Sequence, residues 1–186
     1  MASIFTSQIP TERVAKWCVY LALINTLLAV LYLGVLLTPE PGLHSDIFSI
    51  AFAGAQFPGT WMFIAFLIHI IVGILGMVGW AAVYYLSTAL FQKENTNKLL
   101  SYVSVGGTFL GVLISTWMYF LAGFIGGRAM LPADSCFVLV DGCLNAGVAI
   151  VNALISWTVI PTGAGMGIAA LATLVGLLNI FLTLRK

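Results

Sequence analysis

Polar and apolar positions fall into long blocks along this chain, not into the alternation of a strand or the one-sided stripe of a surface helix. The first apolar block, Trp17–Leu37, follows Arg13 and Lys16 and is closed by Thr38-Pro39-Glu40-Pro41-Gly42, a strong turn and helix-stop signal. The second, Thr60–Phe91, carries no formal charge. A helix of that length, rising about 1.5 Å per residue, crosses a ~30 Å hydrocarbon layer with length to spare. It ends at Gln92-Lys93-Glu94-Asn95-Thr96-Asn97-Lys98, the most polar run in the chain, and a third block follows over Leu99–Gly127. Residues 144–184 then contain no charged side chain, a stretch too long for one crossing, and Pro161-Thr162-Gly163-Ala164-Gly165 sits near its middle. That turn signal predicts a hairpin, with spans at Leu144–Ile160 and Ala164–Leu184. The pattern therefore predicts an all-α integral membrane protein, 1–186 forming one transmembrane domain of five helices. Four helices are the alternative, with Phe137–Ile160 folded back on the outer face.

Composition supports this reading. The chain is 61% apolar and 7% charged, where soluble domains are about 25% charged. Too few charges exist to cover a soluble globule. The net charge of +1 gives no electrostatic footprint for nucleic acid. Basic residues near span ends set orientation. Arg13, Lys16, Lys93 and Lys98 fall on one side, expected to be cytoplasmic, and Arg128 on the other with Glu40, Asp46, Asp134 and Asp141. Five spans place Arg185 and Lys186 outside, against the rule, whereas four place them inside. The expected setting is the plasma membrane with the N-terminus in the cytoplasm.

Candidate chemistry is sparse. His69 lies about nine residues into the second span, where a neutral imidazole could ligate a haem or metal, relay protons, or hydrogen-bond a neighbouring helix. The one other histidine, His44, falls in an outer loop, so a haem held by two histidines at one depth lacks its second ligand. Gly73, Gly76 and Gly79 recur every three residues, while Gly107 with Gly111 and Gly123 with Gly127 recur every four. Small residues at such spacings let helix backbones approach closely in lipid. Asn25, Asn152 and Asn179 lie within spans and are expected to hydrogen-bond across helices. Trp61, Trp80, Tyr84, Tyr85, Trp117, Tyr119 and Trp157 read as an interfacial belt. Cys136 and Cys143 flank a short segment between spans and are expected to form a disulfide if that loop faces an oxidising compartment, two free thiols being the alternative. Cys18 reads as a small apolar residue. No Asp, Glu, Lys or Arg lies within a predicted span, and the polar segments hold no nucleophile–base arrangement, carboxylate pair or phosphate loop. An enzyme acting alone is not expected.

One resemblance arises from the order of features. A span ending in Gly34-Val35-Leu36-Leu37, then Leu43-His44-Ser45-Asp46-Ile47-Phe48, is similar to the outer loop of haem-copper oxidase subunit I that leads into its haem-ligand helix. His69 before Val83-Tyr84-Tyr85-Leu86, and a helix opened by Asn97-Lys98-Leu99 and closed by Phe120-Leu121-Ala122-Gly123 through Gly126-Gly127-Arg128, resemble the succeeding helices of that family, with the same sidedness. The likeness covers residues 34–128. The family's His-x-His pair has no counterpart around Phe52–Gln56, His69 stands single, and the copper-site histidines are absent. The resemblance therefore implies a non-catalytic relative or partner, with haem chemistry in another chain. The leading functional expectation is a non-catalytic membrane subunit of a larger, energy-transducing complex, an accessory in a respiratory chain. Its partners would be the lipid bilayer and other transmembrane subunits, as a hetero- or homo-oligomer. The alternatives are a transporter or channel for a small neutral solute, and a four-span scaffold or adhesion protein.

Overall fold

A computed structural model describes residues 10–37, 60–92, 97–130 and 141–185. Among them every regular element is helical: α1 (Pro10–Leu36), α2 (Thr60–Ile68), a π-helical stretch (His69–Leu75), α3 (Gly76–Ala89), α4 (Lys98–Met130) and α5 (Asp141–Arg185). Four segments are long and apolar enough to cross a membrane, namely Glu12–Leu36, Thr60–Ala89, Lys98–Gly126 and Ile155–Arg185.

The expected hairpin at Pro161–Gly165 is not formed. α5 is one helix of 45 residues with Pro161 inside it. The turn signal was a rule for water, and lipid reverses it. A turn at membrane depth strands several backbone groups where no water can satisfy them. Proline within a helix forfeits one backbone hydrogen bond and crowds the preceding turn. The expected spans Leu144–Ile160 and Ala164–Leu184 are thus one continuous helix, and the stretch to Ile160 that the four-span alternative folds back on the outer face runs, from Asp141, straight into it. At about 1.5 Å per residue the helix is about 68 Å long, more than twice a hydrocarbon layer.

Local rules explain the other helix ends. Pro10 sits at the first position of α1, where its missing N–H costs nothing, and Glu12 pairs with Lys16 at 2.9 Å one turn on. α1 thus begins a full two turns before the apolar block. Asn97 caps α4, its Oδ1 accepting from the N–H groups of Leu99 at 3.0 Å and Leu100 at 3.3 Å. Gln92 adopts φ 51°, the left-handed conformation that stops a helix, and its N–H closes on the Thr88 carbonyl at 3.1 Å.

Burial is distributed inside-out relative to a soluble protein. Leu27 is 63% and Ile160 80% exposed, while Asn25, His69, Ser101, Ser104 and Asn179 are fully buried. Large aliphatic side chains facing outward are the signature of a lipid-covered surface.

The chain divides into two units. In the first (10–27, 70–92, 97–113 and 165–185) α1, α3, α4 and α5 contribute to a core of Val14, Cys18, Met77, Trp80, Tyr84 and Val105. Trp80 and Tyr84, expected at the interfacial belt, are 8% and 0% exposed, and their rings stack 5.7 Å apart. The second unit (28–37, 60–69, 114–130 and 141–164) packs Tyr32, Leu36, Met62, Ala65 and Phe120.

The π turn accounts for one contact in the first unit. Where an i→i+5 ladder hands back to i→i+4, one carbonyl is passed over. Asn25 Nδ2 donates into that stretch, to the Gly73 carbonyl at 2.6 Å. A Cβ on Gly73 would lie 3.3 Å from that same nitrogen, so the missing side chain admits the bond. Asn25→Ala is expected to cost about 0.6–1.7 kcal/mol, the range of interhelical hydrogen bonds in membrane proteins, measured by denaturant-induced loss of helical signal in micelles.

Candidate functional site

Two buried polar centres exist among the described residues. The first surrounds His69, the opening residue of the π-helical stretch, in the second unit. π-Helical turns recur at functional positions because the extra residue re-aims a side chain. Here His69 Nδ1 lies 3.2 Å from Thr116 Oγ1. Tyr32 packs on the imidazole with ring centroids 5.1 Å apart, on Trp117 at 4.6 Å, and edge-on against Phe120 at 4.7 Å. The Tyr32 hydroxyl lies beside Thr116 but closes no hydrogen bond. His69 is fully buried, so no water-sized space touches it. Chemically, the centre supplies one imidazole and two hydroxyls, enough to tie α1, α4 and the π turn together at one point.

The second centre lies in the first unit. Asn179 Nδ2 donates to Ser101 Oγ at 2.9 Å and to the Asn97 carbonyl at 3.1 Å, joining the end of α5 to the start of α4. The Tyr84 hydroxyl sits beside Ser101 and Ser104 without reaching hydrogen-bond geometry. Gly176 faces this cluster: a Cβ there would run into Ser104 Oγ and the Trp80 ring. Thr108 and Thr173 meet at 3.3 Å along the same two helices.

The glycines fall into two groups. Gly107 and Gly111 lie against α5, where a Cβ would sit 2.7 Å from the Ala172 methyl and 2.5 Å from both the Ala169 nitrogen and the Gly165 carbonyl. Gly73 admits Asn25. A Cβ on Gly79 would meet nothing within 4 Å, and one on Gly76 only its own helix, so no other described helix packs against either. Gly123 is buried, and the surroundings of Gly127 lie outside the described residues. So do His44, Cys136 and the side chain of Cys143, and with them the expected disulfide. Asn25 and Asn179 do bond across helices; the side chain of Asn152 is not among those described. Tyr32, Thr116, Ser104 and Gly176 were not singled out by sequence. Tyr32 lies four residues before the end of α1, where the sequence alone reads it as one more belt aromatic, so no signal marked it.

Among the described residues no three His, Cys, Asp or Glu side chains come together. No protein-family model, curated protein or solved structure matches the chain. The likeness to haem-copper oxidase subunit I therefore rests on the quoted residues alone.

Proposed function

We propose that this chain is a non-catalytic integral membrane subunit that packs laterally against other transmembrane helices in a larger complex. One observation carries the reading. On α5, Gly163, Gly167 and Ala170 are exposed, with nothing within 4 Å of a Cβ built on either glycine. Their i, i+4, i+7 spacing puts them on one helix face. A second face of the same helix, through Gly165, Ala169, Ala172 and Gly176, is already spent on α4 and its neighbours. A helix with a small-residue stripe on each of two faces is suited to two helix partners, of which the described residues supply one. The buried polar side chains described are Asn, His, Ser and Thr, which suit holding helices together and give an ion-coupled carrier no charged group to use.

The test is assembly. Purification of Gly163→Leu/Gly167→Leu in mild detergent should lose the co-migrating chains that the wild-type retains, while its monomer keeps wild-type helicity. An absorption spectrum of the same preparations assigns any haem to this chain or to a partner. A wild-type protein that is monomeric in mild detergent and carries no partner from its native membrane would end this reading. Flux of a neutral solute in liposomes holding only this chain would replace it with a channel.

A further inference from the structure

Three polar atoms in the first unit are fully enclosed and meet no hydrogen-bond partner among the described residues: the Tyr84 hydroxyl on α3, Ser104 Oγ on α4 and Asn179 Oδ1 on α5. They belong to one cluster. The Tyr84 hydroxyl sits beside both Ser101 and Ser104, and the Asn179 amide is bonded to Ser101 Oγ at 2.9 Å. Ser104 Oγ in turn faces Gly176, which precedes Asn179 by one helical turn on α5. The surrounding core of Cys18, Trp80 and Val105 is apolar. A buried polar atom left unbonded is costly, so three that neighbour one another call for a shared partner.

The chemistry of the three atoms selects that partner. The Asn97 carbonyl can only accept, so the nitrogen of the Asn179 amide must face it, at 3.1 Å. The amide oxygen is thereby fixed as an acceptor in need of a donor, while the Tyr84 and Ser104 hydroxyls each have a proton to give. A cation would leave both hydroxyl protons unbonded, and the formal charges described at these ends of α4 and α5, Lys98 and Arg185, are already positive. An anion would suit the hydroxyls and be repelled by the amide oxygen. A molecule that both donates and accepts serves all three. It must also be small, because a single Cβ added at Gly176 would already run into Ser104 Oγ and the Trp80 ring.

We infer that one water molecule is bound between α3, α4 and α5, donating to Asn179 Oδ1 and accepting from the Tyr84 and Ser104 hydroxyls. Three hydrogen bonds are the usual complement of a buried water, and here they join three helices at one point. The inference rests on burial and hydrogen bonding within this unit and not on the chain's being a subunit, so each has its own test. Diffraction from crystals of the full chain grown in a lipid phase should show a water peak within about 3.2 Å of all three oxygens. Tyr84→Phe removes one of the bonds and should lower the folded-to-unfolded ratio about fivefold in denaturant titrations in micelles, and Ser104→Ala should do the same. Tyr85→Phe, at a ring 61% exposed, should leave the ratio unchanged. Wild-type crystals in which the Tyr84 and Ser104 hydroxyls bond each other directly, with no water peak, would overturn the inference. So would a Tyr84→Phe protein more stable than the wild-type, since deleting a hydroxyl that has no partner relieves the cost of burying it. A peak that changes with the salt in the crystallisation medium would overturn it too, by assigning the site to an ion.

Discussion

Gly111→Ala is expected to destabilise the protein by at least about 3 kcal/mol, the upper end of the usual cost of overpacking. The added methyl would lie 2.5 Å from the Ala169 nitrogen, 2.5 Å from the Gly165 carbonyl and 2.9 Å from the Ala169 Cα. All three are backbone atoms of α5, so no rotamer change relieves the clash and the two helices must separate. Separation forfeits the dispersion contacts around Gly107 and Ala172, and it strains the Thr108–Thr173 contact. In lipid such contacts are much of what holds helices together. Gly106→Ala is the matched control. It lies five residues away on the same helix, and its Cβ would meet nothing within 4 Å. That change should fall within about ±0.5 kcal/mol. Paired denaturant titrations in micelles measure the difference. Equal effects at the two positions would mean that α4 and α5 do not touch where the structure places them.

How much of this could be read from sequence depends on which solvent each rule assumes. Blocks of apolar residues with no charge marked the spans well, because burying a charge in hydrocarbon is costly whatever the tertiary structure. The close approaches at Gly107 and Gly111 were visible as four-residue spacing, because period alone places both on one helix face. The same reasoning could not say which way a face points. Gly79 satisfies the spacing rule and has nothing near it, whereas Gly176 belongs to no conspicuous pattern and is enclosed by Ser104 and Trp80. Helices that are apolar all round carry no amphipathic signal to fix their rotation. Pro161 misled for a related reason: its helix-breaking reputation comes from water, where a broken turn is resolvated at no great cost. The same inversion moved Trp80 and Tyr84 from the belt into the core. Asn25 and Asn179 were legible because an amide in hydrocarbon must find a partner, but their partners, a carbonyl in a π turn and a serine on α4, are set by packing alone.

The second large effect concerns the end of the chain. With α5 continuous through Pro161, Arg185 lies on the same side as the start of α4, to which Asn179 ties it through the Asn97 carbonyl at 3.1 Å. Arg13, Lys16, Lys98 and Arg185 then share one end of their unit. Four crossings with that end in the cytoplasm would satisfy the positive-inside rule, which five would break. The consequence is all-or-none. A cysteine inserted after Lys186, with Cys136 and Cys143 replaced by serine, should react with an impermeant maleimide only after the cells are permeabilised. It should match the behaviour of Asn95→Cys, which lies between α3 and α4 in the sequence. Labelling of the C-terminal cysteine in intact cells, while Asn95→Cys stays protected, would contradict a single crossing by α5 and restore the five-span chain.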